Sequence, residues 1–324
     1  MLLQTKFLSS KLIKCAKING ANAVKLQTYT ADSMTIKSSK KYFRIKDGLW
    51  SGYQLWDLYH EAHTPLEWHK ELFNYAKKIG ISIFSTPFDE SAVDFLEKLK
   101  CSMYKISSFE MNDLPLVKKV AKTGKPLIIS TGMASIGEIE ETFTFAKKYG
   151  AKDIILLYCV SSYPADYSEF NINNIRILKE KFKCKVGLSD HSKDNNIAKA
   201  AIAVGAEYIE KHIALDNQKS GLDLEFSLKG KEIKTFVKDI KDTYELLGKK
   251  SFSRNKNELK MRKFRRSIFA VKDINKGEKF SSQNLRRIRP GYGLEPKYYT
   301  KLMNKVSPIN IKAEEPLPKE LIKK

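Results

Sequence analysis

Two of the five histidines in this sequence stand directly at the ends of short apolar runs, in Ser189-Asp190-His191 and in Glu210-Lys211-His212. Imidazole exchanges protons and binds metal ions near neutral pH, so a strand-end pair of this kind marks a candidate reactive centre. Other groups able to bind a ligand close similar runs: Lys25 with Gln27, Thr86, Lys105 with Ser108, Ser130 with Thr131, Tyr163, and Ser189. Any one of them alone could be an ordinary surface residue. Their recurrence at the end of run after run is what points to a site.

The elements that must position these groups follow from the punctuation. Gly20, Gly80, Pro126, Gly150 and Gly205 each close a helical pattern just before an apolar run: 23–27, 81–86, 127–131, 154–158 and 208–210. Glycine past a helix end is the left-handed cap, so each marks a step from helix to strand. Runs 103–107 and 185–188 complete a set of seven strands alternating with helices, the pattern of right-handed βαβ units around a parallel sheet. An open sheet would gather its ligand groups at one switch point. Distribution over all the strand ends instead predicts a (β/α)8 TIM barrel, with its site at the C-terminal face.

The chain has 324 residues, room for one barrel and a small second domain, and no stretch approaches the length of a membrane span. No secretory signal pattern opens it. Cys15, Cys101, Cys159 and Cys184 lack metal-like spacing and read as buried reduced thiols. A cytosolic (cytoplasmic) enzyme with neither nucleic-acid nor membrane partners is the expectation. The net charge of +22 does not change this, because most of it is lysine spread over helix faces. The arginines are distributed differently: apart from Arg44 and Arg176 they all lie at 254 and beyond, in a late cluster suited to an anionic substrate.

The barrel is expected over 1–250, a polar linker over 251–265 and a compact β-rich module over 266–324. In that module a strand near 267–274, a turn at Asn275-Lys276-Gly277 and a loop Arg289-Pro290-Gly291-Tyr292-Gly293 stand out. Proline and the glycines hold that loop in a defined shape.

Seven strings in this order resemble the sialic acid synthase family: Phe84-Ser85-Thr86-Pro87-Phe88-Asp89, Tyr104-Lys105-Ile106-Ser107-Ser108, Ile129-Ser130-Thr131-Gly132-Met133, Cys159-Val160-Ser161-Ser162-Tyr163-Pro164, Gly187-Leu188-Ser189-Asp190-His191, Glu210-Lys211-His212 and Arg289-Pro290-Gly291. The last lies in what resembles the antifreeze-like (SAF) domain. The resemblance covers nearly the whole chain and implies condensation of phosphoenolpyruvate with an amino-sugar aldehyde. Segments 45–50 and 58–69, with Gln27-Thr28-Tyr29-Thr30 and Ser107-Ser108-Phe109-Glu110, look most like the branch that makes pseudaminic acid from 2,4-diacetamido-2,4,6-trideoxy-L-altrose, for surface glycans or flagellin. N-acetylneuraminate or legionaminic acid synthesis is the alternative. Trp68 and His69 are equally well explained by helix packing.

The resemblance implies roles residue by residue. Lys25 and Lys105 look like the cations that hold phosphoenolpyruvate, with hydroxyls of Thr86, Ser108, Ser130 and Ser189 around it. His191 and His212 look like ligands of a divalent metal, Mn²⁺ or Mg²⁺, with Mn²⁺ better suited to nitrogen. Glu110 and Tyr163 match positions near the reacting sugar, and Asp223 looks like a hydroxyl acceptor, although Leu222 and Leu224 depart from the family's pattern there. Arg289 looks like the substrate arginine that the SAF domain of a neighbouring subunit contributes, which implies a domain-swapped homodimer. The family's opening strand, ending in Ala-Glu and followed by Asn-His, has no counterpart in Met1 to Phe7. On that reading the barrel is N-terminally truncated, with its first strand absent unless Met1 to Phe7 replaces it, and an inactive scaffold is the further alternative.

Overall fold

The computed structural model of the chain describes residues 6–322. The chain divides into two compact units, Met1–Gly248 and Lys249–Lys324. Met1 to Thr5 lie outside the described residues, while Lys6 and Phe7, weighed above as part of a replacement strand, begin the helix Lys6–Ile18.

In the first unit seven parallel strands run in sequence order: β1 (Ala23–Thr28), β2 (Ser82–Pro87), β3 (Tyr104–Ile106), β4 (Leu127–Ser130), β5 (Ile154–Cys159), β6 (Lys185–Asp190) and β7 (Tyr208–Lys211). Each pairs with the next, and among the described residues β1 and β7 share no backbone ladder. They are nevertheless neighbours, because Lys25 of β1 reaches Glu210 of β7 at 2.8 Å. The sheet therefore curls until its two edges are tied by side chains. Strand β5 is buried along its whole length, as expected where helices cover one face and the barrel interior the other.

The helices follow the sequence logic. In Leu66–Ile79 the buried residues His69, Leu72, Phe73 and Ala76 share one face. Gly80 then ends the helix at φ +70°, in the left-handed region. Gly20, Gly150 and Gly205 also have positive φ before their strands. His69 packs inward, bonded to Thr28 and to the Pro65 carbonyl. No described helix is long and apolar enough to cross a membrane.

The second unit has its own core, including Ile268, Phe280, Leu285, Leu294 and Leu317. Strand Ser267–Ala270 pairs antiparallel with Leu285–Ile288. The stretch expected as linker is partly ordered, since it contains the helix Lys256–Lys260, capped reciprocally by Asn255 and Glu258, and a 3₁₀ turn over Met261–Phe264. The cap supplies partners for backbone N–H groups that a polar run otherwise leaves to water. The Arg289–Gly293 loop is fixed by Ser267, whose hydroxyl donates to the Pro290 carbonyl and accepts from Gly293 N–H. A Cβ at Gly293 would stand 3.0 Å from the Ile268 carbonyl oxygen, so the close approach requires glycine.

Candidate active site

The strands of the first half of the barrel carry ammonium and hydroxyl groups. Lys105, in the middle of β3, is only 2% exposed and contacts Glu210 directly. Lys25 bonds the same carboxylate oxygen at 2.8 Å, and Ser189 Oγ donates to it at 3.1 Å. Burial opposes ionisation of Glu210, but the two ammonium groups outweigh it and hold this carboxyl well below the usual range. Burial pushes the Lys105 ammonium down to about 8, with Glu210 opposing the shift.

Thr86 Oγ1 and Ser130 Oγ are buried without a hydrogen-bond partner among the described residues. The register sets Ser85 opposite Tyr104, so Thr86 comes level with Lys105. A buried hydroxyl without a partner costs about 1–3 kcal/mol, and Thr86 level with Lys105, together with Ser130 two residues beyond Ile128 opposite Lys105 on β4, forms a cradle that an oxyanion would satisfy. Ser108 completes this side, 3.0 Å from Ser161 Oγ. Gly132, at φ +46°, permits the approach: a Cβ there would lie 2.4 Å from Ser108 Cβ.

The second half carries the imidazoles. His191 Nδ1 lies 2.9 Å from the Val160 carbonyl, to which its N–H donates, so Nε2 keeps its lone pair. Burial and the neighbouring His212 push its pKa down to about 3. His212 Nδ1 stands 3.3 Å from Asp223 Oδ2. Burial lowers the His212 pKa against the pull of that carboxylate. Burial alone would raise Asp223, yet the contact with His212 outweighs it and holds the carboxyl well below its usual range. Asp223, expected to face a substrate hydroxyl, thus also orients an imidazole. The two histidine rings are 5.5 Å apart, with Tyr163 4.5 Å from His191 and Phe226 5.0 Å from His212. Burial raises the pKa of Tyr163 and of Glu110, the latter hydrogen-bonded by Ser107.

Among the described residues no cluster of three or more His, Cys, Asp or Glu side chains could hold a metal. The donor set still fits an ion that takes two protein nitrogens, for burial lowers the pKa of both imidazoles and an oxygen engages each Nδ1. Behind the pair, Asp190 and Lys211 face each other across β6 and β7 and are bonded at 2.8 Å, at 0% and 4% side-chain exposure. Asp190 also accepts from Ser192 N–H, so this buried ion pair ties together the strand ends that bear both histidines.

The barrel therefore gathers Lys25, Thr86, Lys105, Ser108, Glu110, Ser130, Tyr163, Ser189, His191, His212 and Asp223 in one unit. Arg289 lies in the other unit, where it is exposed and lines an open cleft of about 580 Å³ with Met261, Phe264, Arg265 and Arg266. Sequence reasoning missed Glu210. The available signal was strand alternation, since Glu210 stands two residues before His212 and shares its face.

The sequence model of the NeuB family matches residues 12–252, and that of the SAF domain matches 265–323. The pseudaminic acid synthase of Campylobacter jejuni subsp. jejuni is 43% identical over 93% of this chain and 88% of its own length. The pseudaminic acid synthase of Helicobacter pylori is 40% identical over 96% of this chain and 92% of its own. Among solved structures, the N-acetylneuraminic acid (sialic acid) synthetase of Leptospira borgpetersenii, in complex with citrate, has a TM-score of 0.71 at 30% identity. It covers 79% of this chain and 84% of its own.

Proposed function

The chain belongs to the NeuB family, and we propose that it is a pseudaminic acid synthase, joining phosphoenolpyruvate and 2,4-diacetamido-2,4,6-trideoxy-L-altrose with water to give pseudaminic acid and phosphate. The observation that carries this reading is the pair of buried hydroxyls, Thr86 and Ser130, without a hydrogen-bond partner among the described residues, on the same run of strands as the ammonium groups of Lys25 and Lys105 and in one barrel with a pair of imidazoles. The similarity to two pseudaminic acid synthases supports the choice of sugar.

Lys25 and Lys105 hold the phosphate and carboxylate of phosphoenolpyruvate, and Thr86, Ser108, Ser130 and Ser189 donate hydroxyl hydrogen bonds to it. Glu210 sits between the two lysines, keeps Lys105 protonated against the effect of burial, and leaves the cluster one positive charge in excess. His191 and His212 would hold a divalent cation, Mn²⁺ or Mg²⁺, whose chemistry when bound is Lewis-acid polarisation of the sugar aldehyde. C3 of phosphoenolpyruvate forms the new C–C bond to the aldehyde carbon, whose oxygen takes a proton. Water adds at C2, and phosphate leaves with the bridging oxygen as that C–O bond breaks. Glu110, its pKa raised by burial, and neutral Tyr163 are the hydrogen-bonding groups for the aldehyde end of the sugar. Asp223 keeps the His212 ring oriented and accepts from a sugar hydroxyl. In a domain-swapped homodimer, Arg289 would reach the sugar in the partner's barrel.

A phosphate-release assay with phosphoenolpyruvate, Mn²⁺ and a panel of aldehydic amino-sugars tests the reading. Fastest release with 2,4-diacetamido-2,4,6-trideoxy-L-altrose is expected; faster release with a stereoisomer of it or with N-acetylmannosamine, or none with any sugar, would overturn it.

A further inference from the structure

The segment between β1 and the helix Leu66–Ile79 has no part in the chemistry above, yet one of its residues ends beside it. Arg44 and Gln54 form an antiparallel bridge, Ile45 N–H donates to the Tyr53 carbonyl, and Gly52 N–H donates to that of Ile45. Gly48 and Gly52, at φ +83° and +93°, close this small arm, and Trp50 stands between them at its tip. The indole N–H donates to the Leu222 carbonyl at 3.1 Å, one residue before Asp223. The ring lies 5.3 Å from that of Tyr163, which in turn is 4.5 Å from His191. Trp50 is half-buried, and the two contacts of its ring, with Tyr163 and with the Leu222 carbonyl beside Asp223, both lie at the site.

We propose that Trp50 is a specificity-determining residue whose indole face receives the apolar far end of the open-chain sugar, at the C6 methyl. The inference rests on the function proposed above. It follows from what the ring has left to offer: its only N–H is engaged by Leu222, so the remaining surface is apolar. It also follows from distance, because Trp50 stands one aromatic ring farther than Tyr163 from the imidazoles where the aldehyde is handled. A 6-hydroxyl placed against that face would lose water without gaining a partner, whereas a methyl group loses nothing.

The test compares kcat/KM of the full chain for 2,4-diacetamido-2,4,6-trideoxy-L-altrose and for its 6-hydroxy counterpart, in the wild type, Trp50→Ala and Trp50→Phe. Trp50→Ala should reduce the preference for the 6-deoxy sugar by about 10-fold or more, the range for one apolar group in a pocket, with KM for phosphoenolpyruvate unchanged. Trp50→Phe should keep most of the preference. Equal losses for both sugars in Trp50→Ala would overturn the proposal, and so would loss of the preference in Trp50→Phe, which would place the effect in the bond to Leu222. A wild type that uses neither sugar but releases phosphate with another aldose would overturn the functional reading, and this inference with it.

Discussion

Lys25, Thr86, Lys105 and Ser130 stand on the strands of the first half of the barrel, whereas Tyr163, His191, His212 and Asp223 stand at or beyond the strand ends of the second. The first group is fixed by backbone ladders. The second is placed by contacts that its side chains make: Asp223 with His212, the Val160 carbonyl with His191, and the Asp190–Lys211 pair behind both. A ligand common to a whole family can be met by rigid strands, while loops can be reshaped to take one sugar or another. The same division separates what a substitution should do on each side.

The largest effect is expected at Lys105. Lys105→Met keeps the stem but leaves a buried anion cradle short of its central charge, and losing one partner of a buried, hydrogen-bonded charge pair costs about 2–5 kcal/mol of binding. In steady-state assays kcat/KM for phosphoenolpyruvate should fall accordingly, by up to several thousandfold. An unchanged value would remove Lys105 from the cradle.

On the other side, Asp190→Asn should act on stability before chemistry. It leaves Lys211 buried with a neutral partner, and a loss of up to about 3–5 kcal/mol is expected, seen as a lower midpoint in denaturant titration. Restoration by the exchanged pair Asp190→Lys with Lys211→Asp would show that the pair, not either residue alone, ties β6 to β7.

Much of this organisation was legible beforehand. Five of the seven strands, β1, β2, β4, β5 and β7, fall where apolar runs follow Gly20, Gly80, Pro126, Gly150 and Gly205, because a helix-ending residue and an apolar run are both local signals. The strand-end histidines were legible for the same reason. Glu210 was not, since its role comes from contacts with Lys25 and Lys105, 185 and 105 residues away, which only the curl of the sheet creates. Trp50 sits in a glycine-flanked arm without periodicity, so nothing local shows that it ends at Leu222. The helix at Lys256–Lys260 was hidden by its charge, although Asn255 and Glu258 spell a capping box.

A smaller effect sharpens the contrast through pH. Burial lowers Lys105 to about 8, so its positive charge is present below that pH and lost above it. In the free enzyme, kcat/KM for phosphoenolpyruvate should therefore decline above pH 8, approaching about tenfold per pH unit. KM for the sugar should stay flat over the same range; a decline carried by the sugar instead would place the titrating group on the imidazole side.

The most direct measurement is calorimetric titration of phosphoenolpyruvate into the protein with chelator and without sugar, for the wild type, the double variant Thr86→Val with Ser130→Ala, and the double variant His191→Ala with His212→Ala. If the lysines and hydroxyls form the anion cradle without the imidazoles, the histidine variant should bind like the wild type. The hydroxyl variant should bind about tenfold more weakly for each charge-assisted hydrogen bond lost. Loss of binding in the histidine variant, with the hydroxyl variant unaffected, would contradict the assignment of Thr86 and Ser130 to phosphoenolpyruvate and of the imidazoles to the sugar aldehyde.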